Sequence, residues 1–150
     1  DEDYVRAIGS LAGKADIILP NVTEAAILSG LPYQENIDRN YVNQLLNGLN
    51  YPCAVLTGVD FDEDSTGIVL QEGTVQHEYR HKRIGTGCHG TGDIFASIIA
   101  ADAVNGVPFY KSVKKASDFI KKCIIRSQEL DIPLTDGVCF EEVLGKLKTD

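Results

Sequence analysis

Positive charge is scarce in this 150-residue chain: 14 lysines and arginines stand against 22 aspartates and glutamates, a net charge of −8 at pH 7 with histidine neutral. That sign opposes general attraction to nucleic acid or to anionic lipid, so a bound anion needs a local site made of backbone amides. Proline is sparse too, at five residues, and with 43% hydrophobic and 24% charged residues the composition excludes disorder, collagen and low complexity. No apolar run approaches the roughly 20 residues of a membrane-spanning helix. The four cysteines, at 53, 88, 123 and 139, contain no C-x-x-C pair, and the opening Asp1-Glu2-Asp3 does not read as a secretory leader. Reduced thiols in a cytoplasmic protein are the expectation, with Cys53 and Cys123 buried as small hydrophobes among apolar neighbours. What is present suffices for one domain with a single packed core.

Tyr4, Val5, Ile8, Leu11 and Ala12 recur at helical spacing and predict a first helix closed by Gly13-Lys14, ahead of a short buried strand at Ile17-Ile18-Leu19. Residues 21–29 predict a short helix stopped by Gly30 and Pro32. A third helix is expected over residues 36–47, with Ile37, Tyr41, Val42, Leu45 and Leu46 on one face. Ala54-Val55-Leu56, cut off by Thr57-Gly58, predicts a second buried strand of the kind found in parallel sheets. Residues 67–70 and 74–79 flank the turn residues Gln71-Glu72-Gly73, which predicts an antiparallel hairpin and therefore a mixed sheet. Ile94, Phe95, Ile98, Ile99 and Val104 mark a helix broken near Gly106 and Pro108. Val113, Ala116, Ile120, Cys123, Ile124 and Ser127 mark the next, and residues 140–147 a last short one. Helices alternating with buried strands indicate an α/β fold, a mixed and mainly parallel sheet flanked by helices, with ligands at the carboxyl ends of the strands. Pro20-Asn21, residues 57–60 and residues 85–93 are expected along that rim.

The segment Gly85-Thr86-Gly87-Cys88-His89-Gly90-Thr91-Gly92-Asp93 carries the chemistry, because a cluster of glycines runs directly into an amphipathic helix. Backbone amides of the loop and first turn converge there, and the helix dipole favours negative charge, which describes a phosphate or oxyanion pocket. The stretch also fits G-x-G-x-x-G, but a dinucleotide fingerprint requires a strand after the helix, and here another helix follows. A Walker-type loop fails for want of Lys-Ser or Lys-Thr after Gly90. Asp93, in the first turn, is placed to take a proton from a hydroxyl attacking phosphorus, although a carboxylate there also simply complements the dipole. Asn21 with Glu24 forms a capping-box pattern, and the same pair suits a hydrated magnesium ion. Cys88 is either a reactive thiol at a helix start or a filler. His89 either touches phosphate or packs on the loop, and His77 and His81 are expected at the surface.

In this order, Leu19-Pro20-Asn21-Val22-Thr23-Glu24-Ala25, Leu56-Thr57-Gly58 and Gly90-Thr91-Gly92-Asp93-Ile94-Phe95 resemble the ribokinase-like small-molecule kinases, most nearly bacterial pyridoxal (pyridoxamine) kinases. The hydroxymethylpyrimidine kinases of thiamine synthesis are the nearest neighbours of that group. The resemblance implies ATP-dependent phosphorylation of the hydroxymethyl group of pyridoxal, pyridoxamine or pyridoxine, with ATP as co-substrate, Mg²⁺, and potassium as a possible further cation. It implies that Asp93 is the base and that the amides of Gly90, Thr91 and Gly92 form the anion hole. Asn21 and Glu24 would organise magnesium, and Thr57, Gly58, Cys88 and His89 would lie near the nucleotide. Such kinases are nearly twice this length and commonly dimeric, so residues 1–150 would be the C-terminal, nucleotide-side portion of the kinase domain, inactive or nearly so by itself. A pyrimidine substrate, or a non-catalytic nucleotide-binding module, are the alternatives.

Overall fold

The computed structural model describes residues 2–84 and 89–147. They fall into two compact units, residues 1–82 and residues 83–150.

The first unit holds α1 (Glu2–Ala12), β1 (Ile17–Ile18), α2 (Val22–Ser29), α3 (Arg39–Leu49), β2 (Cys53–Asp60), β3 (Ser65–Glu72) and β4 (Val75–Lys82). Its sheet runs in the order β1-β2-β3-β4. β1 lies parallel to β2, with Ile17 opposite Cys53, whereas β2–β3 and β3–β4 are antiparallel, so the sheet is mixed as expected but, among the described residues, mainly antiparallel rather than mainly parallel. α2 and α3 pack on one another and on β2. Ala25, Leu45, Leu46, Ala54 and Leu56, fully removed from solvent, centre that core.

Several boundaries differ from expectation, among them those of the hairpin, where Gln71 and Glu72 belong to β3 and β4 runs on to Lys82. α3 begins at Arg39 rather than residue 36, because the Asp38 side chain accepts from the Tyr41 amide at 2.8 Å and caps the helix there. It then runs through Gly48 and ends at Asn50 in the left-handed conformation. β2 does not stop at Thr57-Gly58: a bulge shifts the register between Thr57 and Val59, and pairing continues to Asp60 opposite Thr66. The antiparallel neighbour β3 supplies ladder bonds that a parallel-strand reading does not foresee. Cys53, expected buried, is partly exposed at the start of β2. Of the histidines in β4, His77 is exposed and His81 half-buried.

The second unit is built on α4 (Thr91–Val104) and α5 (Phe109–Glu129), which pack together. Pro108 precedes α5 at its first turn, where a missing amide is harmless. Val113, Ala116 and Cys123 of α5 are fully buried, as are most of Phe95, Ile98 and Ile99 of α4. A Lys115–Asp102 ion pair joins the two helices from inside. The expected helix over residues 140–147 is reduced to a single 3-10 turn, Leu144–Lys146. A segment this short cannot repay helix nucleation, and what fixes it is burial of Val143. No helix among the described residues is long and apolar enough to cross a membrane.

Candidate functional site

In the first unit the polar residues gather where β1 and β2 end. Thr57 donates to the Pro20 carbonyl both from its amide (2.9 Å) and from Oγ (3.3 Å), and Asn21 and Thr57 form a parallel bridge. β1 is only two residues long, so these bonds carry the strand pairing forward to the start of α2. The capping box at that start is complete. Asn21 Oδ1 accepts from the Glu24 amide at 2.8 Å, and Glu24 Oε2 accepts from the Asn21 amide at 2.9 Å. Asn21, Glu24, Thr57 and Gly58 thus form one exposed or half-exposed group, with Gly58 at the bulge.

In the second unit α4 opens differently. Its N-cap is Gly90, at φ 82°, with no side chain to satisfy the first-turn amides. A left-handed cap of this kind suits glycine. Gly92 and Asp93 are exposed, and Asp93 is the acidic residue of the first turn. The Asp93 carbonyl is occupied by Ser97 Oγ at 2.8 Å, whereas its carboxylate stands at the surface beside the turn. His89 is exposed immediately before the cap. Residues 85–88, and with them Cys88, lie outside the described residues.

Sequence reasoning found both groups but missed what stands behind the second. Gly137, at φ 86° and ψ −170°, lies against the carbonyl of His89, which is 3.5 Å from where a Gly137 Cβ would be. Ser127, marked in the sequence only as part of a helical stripe, is buried and bonded to both Cys123 and Cys139. The Asp136-Gly137 pair was the available signal for a turn there.

The donor set has a definite character. Among the described residues no cluster of three or more His, Cys, Asp or Glu side chains is disposed to hold a metal ion. Asn21 Oδ1 and Glu24 Oε2 are engaged in the capping box, which leaves Oε1 of Glu24 facing solvent. One carboxylate oxygen at the surface fits magnesium that keeps most of its waters, and does not fit a cage of protein ligands.

Residues 1–135 match the family model for phosphomethylpyrimidine kinase. The chloroplastic thiamine biosynthetic bifunctional enzyme of Arabidopsis thaliana is 33% identical over 139 residues, covering 91% of this chain and 26% of that protein. The hydroxymethylpyrimidine/phosphomethylpyrimidine kinase of Aquifex aeolicus is 29% identical over 116 residues, covering 77% of this chain and 46% of that one. Among solved structures, pyridoxal kinase from Lactobacillus plantarum matches with a TM-score of 0.83 and 30% identity, over 98% of this chain and 54% of its own. The chain therefore spans about half the length of these kinases and about a quarter of the plant enzyme. The mixed α/β fold read from the sequence is the ribokinase-like one, and the expected preference for pyridoxal is not separated from a pyrimidine by these likenesses. The chain belongs to the phosphomethylpyrimidine kinase family of ribokinase-like kinases.

Proposed function

We propose that this chain is the nucleotide-side portion of a kinase that transfers the terminal phosphoryl group of ATP to a hydroxymethyl substituent on a small vitamin-type ring, a hydroxymethylpyrimidine in the first instance. The observation that carries this reading is the bare glycine cap of α4 followed within one turn by an exposed carboxylate. Donors from Gly90, Thr91 and Gly92 receive the charge on the phosphoryl oxygens, and Asp93 takes the proton of the attacking hydroxyl. Phosphoryl transfer asks the protein mainly to position groups and to stabilise charge, and a backbone-lined turn with one base does both. Thr57 and Gly58 lie against the nucleotide. Glu24, with Asn21 holding its orientation through the capping box, would hold magnesium through water, and the ion, when bound, would supply charge neutralisation at the ATP phosphates.

The pyrimidine is favoured by the family match, which covers nine-tenths of the chain. Pyridoxal is the second reading, favoured by the 30%-identical pyridoxal kinase. Half the length of a kinase leaves the ring-contacting part unaccounted for, so the chain by itself transfers phosphate slowly or not at all. Transfer of radiolabelled phosphate from ATP to hydroxymethylpyrimidine and to pyridoxal, measured beside a full-length relative, tests this directly. Turnover equal to the relative's refutes the half-kinase assignment. Calorimetric titration with ATP and Mg²⁺, set against a nicotinamide dinucleotide, tests the nucleotide reading. Failure to bind ATP, or tighter binding of the dinucleotide, refutes it.

A further inference from the structure

The two edges of the first unit's sheet are built differently. Along β4, at one edge, polar and charged residues recur at every second position, Gln76, Glu78, Arg80 and Lys82, a pattern that discourages pairing with a further strand. β1, at the other edge, is Ile17-Ile18 with Leu19 directly after it, and among the described residues it pairs on one side only, parallel to β2. An unbroken apolar run without charge is the pattern of an interior parallel strand, and a mixed sheet commonly keeps its antiparallel strand for the edge.

Ahead of β1 stands α1, whose apolar side also lacks a partner. At helical spacing Val5, Ile8, Leu11 and Ala12 share one arc, and Asp3, Arg6 and Ser10 lie on the opposite one. Val5 is 40%, Ile8 42% and Leu11 67% exposed, and no α1 residue whose burial is described is buried. A helix of 11 residues is marginal by itself and depends on covering such an arc. A helix that leads through residues 13–16 into a strand parallel to its neighbour is also the second half of a strand–helix–strand unit. The first strand of that unit belongs beside β1, with the helix packed across the pair.

The bare arc and the bare edge thus call for the same neighbour. Lipid does not fit it, because helices that lie on membranes are rich in Lys and Arg, whereas α1 carries Arg6 alone, paired with Asp3 at 2.9 Å. The fold itself says what does fit: 98% of this chain is accounted for by 54% of the Lactobacillus plantarum kinase, which leaves nearly half of that fold without a counterpart here. We propose that Val5, Ile8 and Leu11 of α1 and the free edge of Ile17-Ile18 form one docking surface whose occupant is the other half of a ribokinase-like kinase domain. That half adds a parallel strand beside β1 and lays apolar side chains over α1. The inference rests on the half-kinase reading given above.

The test produces this chain together with the part of Lactobacillus plantarum pyridoxal kinase that it does not match, and measures mass by light scattering and affinity by titration. This chain alone is a monomer, and the two together form a one-to-one complex. In that complex amide exchange slows at Ile17, Ile18 and along α1. Ile8→Glu and Leu11→Glu each weaken the complex roughly tenfold or more, as placing a charge where an apolar side chain is buried requires. Ser10→Glu, on the polar arc, leaves it unchanged. All three positions are exposed or border solvent in the chain alone, so each variant keeps the wild-type thermal transition. Absence of a complex overturns the proposal, as does a complex indifferent to both apolar-arc variants. A chain that dimerises with itself, and returns to a monomer on Leu11→Glu, also overturns it by making a second copy the occupant. A complex that forms through this surface yet binds no ATP overturns the nucleotide reading instead and leaves the docking surface standing.

Discussion

Two helices of this protein begin in opposite ways. At the start of α2 the sequence closes the helix on itself: Asn21 and Glu24 exchange bonds of 2.8 and 2.9 Å and so satisfy two of the amides at the helix start. At the start of α4 a glycine stands where a capping side chain would, and the nearest carboxylate, Asp93, is set three residues into the helix rather than folded back over it. The difference teaches how one chain can close one helix start with side chains and leave another without a side-chain cap. A closed N-terminus contributes to folding and leaves little for a ligand. An open one forgoes a cap of about 1 kcal/mol, and on the proposed reading it is where an anion is received.

The largest test of this contrast is Asp93→Asn. If Asp93 is a base, phosphate transfer measured with radiolabelled ATP in a full-length kinase carrying this portion falls by about 10²–10⁴-fold while ATP affinity holds within a small factor. An unchanged rate reduces Asp93 to a dipole-complementing residue and makes the two helix starts alike. Next comes Gly90→Asp, which gives α4 the kind of side chain that α2 already has. A carboxylate at the cap competes for the same amides, so calorimetry records at least a roughly tenfold loss of ATP affinity. ATP binding unaffected by that change shows that the open end is not the anion site.

A smaller effect concerns the helix behind the open end. Burial first, and the charge of Cys139 second, push the Cys123 thiol up to about 11 from an ordinary 9.0. The folded state therefore keeps its proton where the unfolded state has lost it. Stability from this group is intact below pH 9 and drains away as pH rises from about 9 to 11, by on the order of 2 kcal/mol. Thermal melts across that window show a falling Tm, and Cys123→Ala flattens the fall; an equally steep fall in the variant removes the cause named here. The smallest expected change is at the closed end, where Asn21→Ala lowers unfolding free energy in urea by about 1 kcal/mol. A change near zero would mean that the box is redundant.

Much of this was legible in the sequence because it rests on local rules. Asn21 with Glu24, Gly30 after Ser29, and Gly106 with Pro108 each announce a helix end in residues close together, and the structure ends its helices there. The Gly90-to-Asp93 turn was legible for the same reason. Illegible parts depended on distant partners. The extension of β2 past Thr57 needs β3, and nothing in residues 57–60 says that an antiparallel neighbour will take up their hydrogen bonds. The start of α3 turned on whether Asp38 or an earlier residue caps it, a competition that spacing alone does not decide. Ser127 reads in the sequence as one more position on an apolar stripe, because a hydroxyl that reaches Cys139, twelve residues on, leaves no periodic trace.

The Lys115–Asp102 contact between α4 and α5 bears on how this chain can change over generations. Asp102 is 6% exposed, its second carboxylate oxygen has no hydrogen-bond partner among the described residues, and the lysine is its counter-charge. Replacing either residue alone strands a charge inside and destabilises by up to about 3–5 kcal/mol, less to the extent that Lys115 reaches solvent, whereas replacing both with well-packed apolar residues is close to neutral. Natural drift at these two positions is thereby yoked: a descendant that loses the amine must lose the acid in nearly the same step.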